Sequence, residues 1–287
     1  MNAFFQNRGF WFRLGILIAL TAAGGFVAVT FGTVFAVLIF GSAKIASHDT
    51  DAVLFLQAFV TLGLFAAPAL VFGRCFAENL TLRAKPKLTS VLVCVLIMTV
   101  SMPFCSFLEE LNLSMRLPDS LSGLEDWMRR QEDAANLLTE KILSRTSPGY
   151  TALNLLVVAL FPAFGEELYF RAAVQDSLLE KTAGMKGWIC VIVTAAVFSA
   201  VHLQFFGFLP RLFLGMLLGF MLLVTRNIWV SVICHFFNNA CAVLFFGRFS
   251  QEQMREIPQF WELKTVIVLS AVLTGLLFWF LTKILKK

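Results

Sequence analysis

Charge is scarce in this sequence. Asp, Glu, Lys and Arg supply 14% of its 287 residues, hydrophobic side chains supply 59%, and mean hydropathy is +0.80. Soluble chains run at about 25% charged and about 45–50% apolar, so this composition excludes a water-facing fold and points to a membrane protein. Tyrosine is nearly missing, 2 against 32 Phe, and a Phe-rich chain suits lipid-facing helices. Alternation of apolar and polar residues over about 10 positions is absent, which argues against a transmembrane barrel. No cleavable signal peptide is expected, because the first apolar run is too long for an h-region and no small-x-small site follows a short core. Neither an internal repeat nor a low-complexity tract is visible. The six cysteines do not read as a disulfide framework. Cys94, Cys105, Cys190, Cys234 and Cys241 lie in or at the end of hydrophobic runs, where thiols act as small apolar residues.

What is present is a series of apolar segments, at about 12–40, 52–72, 88–108, 150–170, 188–203, 208–224, 228–246 and 263–281. The expectation is an all-α, multi-pass membrane bundle of about eight transmembrane helices, each of about 20 residues, forming one integral membrane domain over 1–287. The first segment exceeds one straight span and holds Gly24, Gly25 and Gly32, which suits tilt or close helix packing. The net charge of +5 sits between apolar blocks. It reads as positive-inside anchoring in a lipid bilayer, with no nucleic-acid partner. With the N terminus inside, Arg8, Arg13, Arg74, Arg83, Lys85, Lys87, Lys181, Lys186, Arg226, Lys283, Lys286 and Lys287 fall on the inner side, 12 against 9 outside. Most of the 9 lie in the two longer outer loops beside acids, so both termini are expected in the cytoplasm. A polar insert at 109–147 interrupts the pattern. Leu124, Trp127, Met128, Ala135, Leu138 and Ile142 recur there at helical spacing, as in an amphipathic helix on the membrane surface or capping the bundle.

An ionisable group at mid-bilayer costs about 2.5–3.5 kcal/mol on insertion scales, so each needs a partner or a task. Three places qualify: Glu166-Glu167 with Arg171, Phe198 with His202, and His235 with Asn239. Glu167 and Arg171 are four apart and share a helix face. Glu166 lies about 140° round the helix from Arg171, so the arginine neutralises one carboxylate and leaves the other aimed elsewhere. Pro162 just upstream removes a backbone donor and can kink the helix. A helix-locking ion pair, and His or Asn side chains bonding neighbouring helices, are the structural alternatives. Taken together, a spare glutamate, two histidines and an asparagine suit a general base with polarising donors, able to activate water against a carbonyl.

In this order and with these spacings, EExxxR (Glu166, Glu167, Arg171), FxxxH (Phe198, His202) and HxxxN (His235, Asn239) resemble the CPBP family of CAAX proteases and bacteriocin-processing enzymes. This family, also called Abi, contains the type II CAAX prenyl endopeptidases. The motif-bearing core spans about 150–246. The resemblance implies an eight-helix intramembrane endopeptidase of glutamic type acting on a peptide or protein at the membrane. Glu166 would be the general base, His202 would help hold and activate water, His235 and Asn239 would form the oxyanion hole, and Glu167, Arg171 and Phe198 would support the site. It implies no cofactor. A zinc-dependent protease is the mechanistic rival, since two His and one Glu can form a catalytic zinc site; there is, however, no HExxH. A proton-coupled transporter using Glu166, His202 and His235 as a relay is the rival from another class, but no repeated halves are seen. The helical count leaves one demand. His202 lies about 21 Å along its segment and His235 about 10 Å along its own. Either the boundaries shift or the stretch 203–209 folds back within the protein.

Overall fold

The computed structural model describes residues 5, 8–76, 82, 85–246 and 264–285. Arg83, Lys286 and Lys287 of the orientation argument, and the first residue of the segment 263–281, lie outside them. No strand occurs among the described residues. The main helices are α1 (Phe10–Phe40), α2 (Ser42–Ala46), α3 (Thr50–Phe76), α4 (Leu88–Ser114), α5 (Ser122–Leu143), α6 (Pro148–Thr182), α7 (Gly187–Ala200), α8 (Phe208–Thr225), α9 (Ile228–Phe246) and α10 (Lys264–Leu285). The protein is an all-α membrane bundle. Seven helices among the described residues are long and apolar enough to cross a membrane, and the eighth apolar segment forms the shorter α7.

The shortness of α7 resolves the demand of the helical count. Fourteen residues rise about 21 Å, well below the roughly 30 Å hydrocarbon core. The chain therefore turns before crossing. Leu203 adopts the left-handed conformation, φ 55°, which is uncommon for a branched side chain and marks an over-determined turn. A 3₁₀ turn at Phe205–Gly207 then leads into α8. Asn112, at the end of α4 and 5% exposed, clamps this turn with both ends of its amide. Its Nδ2 donates to the Phe205 carbonyl at 3.0 Å, and its Oδ1 accepts from the Leu209 N–H at 2.7 Å. Irregular backbone at membrane depth survives only where protein satisfies it, and one side chain does that here.

Small residues set the packing elsewhere. Helix α1 lies on α3 along Gly24, Ala28 and Gly63; a Cβ on Gly24 would overlap the Gly63 carbonyl oxygen, and one on Gly63 would overlap the Ala28 methyl. Gly63→Leu is accordingly expected to destabilise the bundle by about 1–3 kcal/mol, the usual cost of overpacking. Melting in detergent checks this against Gly15→Leu, whose Cβ meets open space. An equal melting temperature for both would refute the seam. Helices α3 and α6 each widen into a π-turn just before a proline, at Leu62–Ala66 ahead of Pro68 and at Leu155–Leu160 ahead of Pro162, where the added residue absorbs the missing N–H. All six cysteines are free thiols. Cys94 and Cys234 are fully buried with Ile97, Leu218 and Met221 in one apolar core.

The insert residues 109–114 continue α4, and α5 forms the amphipathic helix. Its N-terminal end is tied by Glu125, 8% exposed, which accepts from the Leu117 N–H at 2.8 Å, Arg116 Nη1 at 2.9 Å and Arg129 Nη2 at 2.7 Å. The Leu117 N–H first, then the two arginines, hold the Glu125 carboxyl down at about 2, against an ordinary value of about 4.3. A depressed folded-state value means that the tie contributes stability above about pH 4.3 and loses it as pH falls toward 2. Hydrogen exchange within α5 is therefore expected to accelerate across that window; exchange that stayed flat there would contradict the assignment.

Candidate active site

Helix α6 changes winding at the two glutamates. Glu166 ends an α-helical turn and Glu167 begins a π-helical stretch, Glu167–Thr182; local π winding is frequent at functional sites. The wider turn still lets Arg171 reach Glu167, with Nε 3.3 Å from Oε2, and both side chains are 0% exposed. Arg171 also donates from Nη2 to the Gly215 carbonyl at 3.2 Å, and Gln175 donates from Nε2 to the Gly219 carbonyl at 3.0 Å. Two donors four residues apart thus meet two carbonyls four residues apart. Glycine at both α8 positions permits the approach, since a Cβ on Gly219 would meet Gln175 Oε1 at 2.8 Å.

Glu167 has a second partner that helical spacing does not reveal. Its Oε1 lies 2.9 Å from Nδ1 of His235 on α9. An ionised carboxylate only accepts, so Nδ1 carries the proton, and Nε2 of a neutral His235 is left with its lone pair. That Nε2 stands 3.9 Å from Oε2 of Glu166, beyond a direct hydrogen bond. Glu166 is 8% exposed. The other histidine obeys the same logic. His202 Nδ1 sits 2.7 Å from the Phe198 carbonyl, which also only accepts, so its Nε2 is free to accept.

Phe198 joins the parts. Its ring lies 4.9 Å from that of His202 and 6.1 Å from that of His235, with the Arg171 guanidinium 4.7 Å from its centroid. A cation over a ring face is attracted by the ring quadrupole, so Phe198 fixes the arginine and both imidazoles at once. The structure thereby brings Glu166, Glu167, Arg171, Phe198, His202 and His235 together. Asn239 lies one turn along α9 from His235. Its Oδ1 accepts from Asn238 Nδ2 at 3.2 Å, leaving its own Nδ2 as the available donor. Among the described residues, no group of three or more His, Cys, Asp and Glu side chains is placed to hold a metal ion.

Three positioning residues escape sequence reasoning. Asn112 holds the turn after His202. Arg211 of α8 donates from Nη1 to the Gln204 carbonyl at 3.0 Å and from Nη2 to Gln204 Oε1, pinning the residue two after His202. The third is Gln204 itself, which receives both bonds. A lone Asn near a helix end, or a Gln–Arg pair seven apart across a turn, carries no periodic signal.

Buried carboxylates, oriented imidazoles and a clamped turn inside a helical bundle define an integral membrane protein built for polar chemistry among lipid. Residues 148–241 match the family model described as type II CAAX prenyl endopeptidase Rce1-like, and the three motifs fall within that stretch. The motif-bearing segment is thus similar to the type II CAAX prenyl endopeptidases, and the activity class this supports is that of a peptidase. Comparison with curated proteins and with solved structures gives no match.

Proposed function

We propose that the chain is an intramembrane endopeptidase of glutamic type that hydrolyses a peptide bond of a membrane-associated protein or peptide, in the manner of CAAX processing. The observation that carries the mechanism is the placement of the two glutamates. Glu167 is bound by Arg171 and His235, whereas Glu166 faces His235 Nε2 across 3.9 Å. A water lying off the line between these atoms donates one proton to Glu166 and accepts from His235 Nε2 when that nitrogen carries a proton. Glu166 takes a proton from that water as its oxygen attacks the carbonyl carbon. His202 Nε2 accepts the second water proton as a hydrogen bond and orients the attack. Asn239 Nδ2 donates to the developing oxyanion. His235 joins it when its Nε2 carries a proton, the resulting imidazolium being stabilised by the Glu167 carboxylate. The tetrahedral intermediate collapses with cleavage of the C–N bond, and the proton held by Glu166 goes to the leaving amine.

The mechanism is proposed without a metal, and the support is the donor arrangement: no third ligand is placed beside Glu166 and His235 among the described residues. Both termini are proposed to be cytoplasmic. Lys181 and Arg226 lie together at one end of the bundle, paired with Asp176 and Glu180, which suits the basic side of the membrane. The test is cleavage by the purified full-length protein in detergent, of unmodified and isoprenoid-bearing C-terminal peptides, with and without chelator. Activity retained in chelator, with no stoichiometric zinc by elemental analysis, is expected. One tightly bound zinc per chain, required for turnover, would replace this mechanism with the zinc-dependent one.

A further inference from the structure

Helix α5 lies outside the stretch matched by the family model, yet it faces the site. Between α3, α5 and the turn after α7 is a cavity of about 690 Å³, within the roughly 300–1,000 Å³ of ligand pockets. Helix α5 contributes Gln131, Ala135 and Leu138, α3 contributes Gln57, and the turn contributes His202 and Gln204. No Lys, Arg, Asp or Glu lines it; most of the remaining lining is aliphatic. The helix is fastened at both ends. Arg129 stacks on Phe206 at 4.1 Å and Trp127 lies 5.9 Å from Phe205. At the other end Lys141 Nζ donates to the His48 carbonyl at 2.6 Å, and Asn154 Nδ2 to the Ile142 carbonyl at 3.2 Å. A surface helix resting on lipid would need none of these ties.

We propose that α5 is the specificity wall of the peptidase, and that the cavity behind it holds an uncharged, apolar stretch of substrate polypeptide beside the scissile bond. The inference rests on the peptidase reading above. Continuity with the site places the occupant, because His202 belongs to both. The chemistry of the lining selects it. A charged substrate side chain would lose its water and meet no opposite charge. The side-chain amides of Gln57 and Gln131 have no hydrogen-bond partner among the described residues, and Gln204 uses only its oxygens toward Arg211. Peptide N–H and C=O groups match such amides. A bare hydrocarbon chain would dehydrate them and give nothing back.

The experiment uses the full-length protein in detergent and unmodified, internally quenched peptides, with the cleaved bond mapped by mass spectrometry. Leu, Ala, Lys and Glu are placed in turn at the positions flanking that bond. Wild type is expected to cleave the Leu peptides with kcat/KM at least ~100-fold above the Lys and Glu peptides at the positions the cavity holds. Ala135→Trp, which enlarges a side chain lining the cavity, should lower kcat/KM about 10-fold for Leu peptides while sparing Ala peptides. Leu138→Glu should raise cleavage of Lys peptides by about 10-fold, a gain that a merely structural role cannot produce. Two results would overturn the inference and leave the peptidase reading intact: unchanged preferences in both variants while cleavage still depends on Glu166, or effects confined to isoprenoid-bearing peptides, which would make the cavity a lipid site. Cleavage by wild type that does not depend on Glu166 would remove the reading and this inference with it.

Discussion

Replacing Glu166 by Gln is expected to lower peptidase turnover by about 10²–10⁴, the usual loss on removing a general base, without unfolding the protein. The amide has the shape of the carboxylate but no basicity at neutral pH. Nothing structural should be lost. Among the described residues Glu166 makes no direct hydrogen bond, and His235 Nε2 stands 3.9 Å from its Oε2. Removing a buried carboxylate without a fixed partner is neutral or mildly stabilising in such a setting. Cleavage assays on the purified variant, with thermal melting as the folding control, measure both sides. Wild-type turnover in Glu166→Gln would end the general-base assignment.

The neighbouring glutamate should behave in the opposite way. Glu167→Gln is expected to cost about 3–5 kcal/mol of stability, because it leaves Arg171 charged at 0% exposure with no carboxylate beside it. It should also impair turnover, through His235. With the carboxylate gone, the Nδ1–H form of the imidazole loses its charged acceptor, and a protonated His235 loses its counter-ion. The melting-temperature drop should therefore be larger for Glu167→Gln than for Glu166→Gln. If Glu166 instead held a metal, that order would reverse, since losing a ligand removes the stabilisation that binding confers. Equal melting temperatures in the two variants would remove the division of labour between the glutamates.

The sequence carried much of this because charged residues in apolar runs are conspicuous. Glu166, Glu167, Arg171, His202, His235 and Asn239 could be picked out from cost alone, and four-residue spacing gave the Glu167–Arg171 pair. It could not give the Glu167–His235 bond, which joins positions 68 residues apart through the packing of α6 against α9. Nor could hydropathy separate α7 from a full span, since it ran the segment on to Leu203 past the helix end at Ala200. The helix in the insert was legible from the spacing of Ala135, Leu138 and Ile142. Its place was not, because an apolar stripe reads alike whether it faces lipid or a cavity.

The Asn112 clamp has a consequence for how the protein is made. Helix α7 is too short to lodge across a bilayer by itself, so α7 and α8 must enter the membrane together as a hairpin. Until α4 docks, the Phe205 carbonyl and the Leu209 N–H at the hairpin tip lack the partners they have in the finished bundle. Helix α4 is synthesised earlier, so the acceptor and donor on Asn112 already wait in the membrane when the tip arrives. Completion of the turn after His202 is thereby made conditional on a helix that precedes the matched segment, and a 148–241 segment synthesised without α4 would lack the Asn112 partners of the Phe205 carbonyl and the Leu209 N–H.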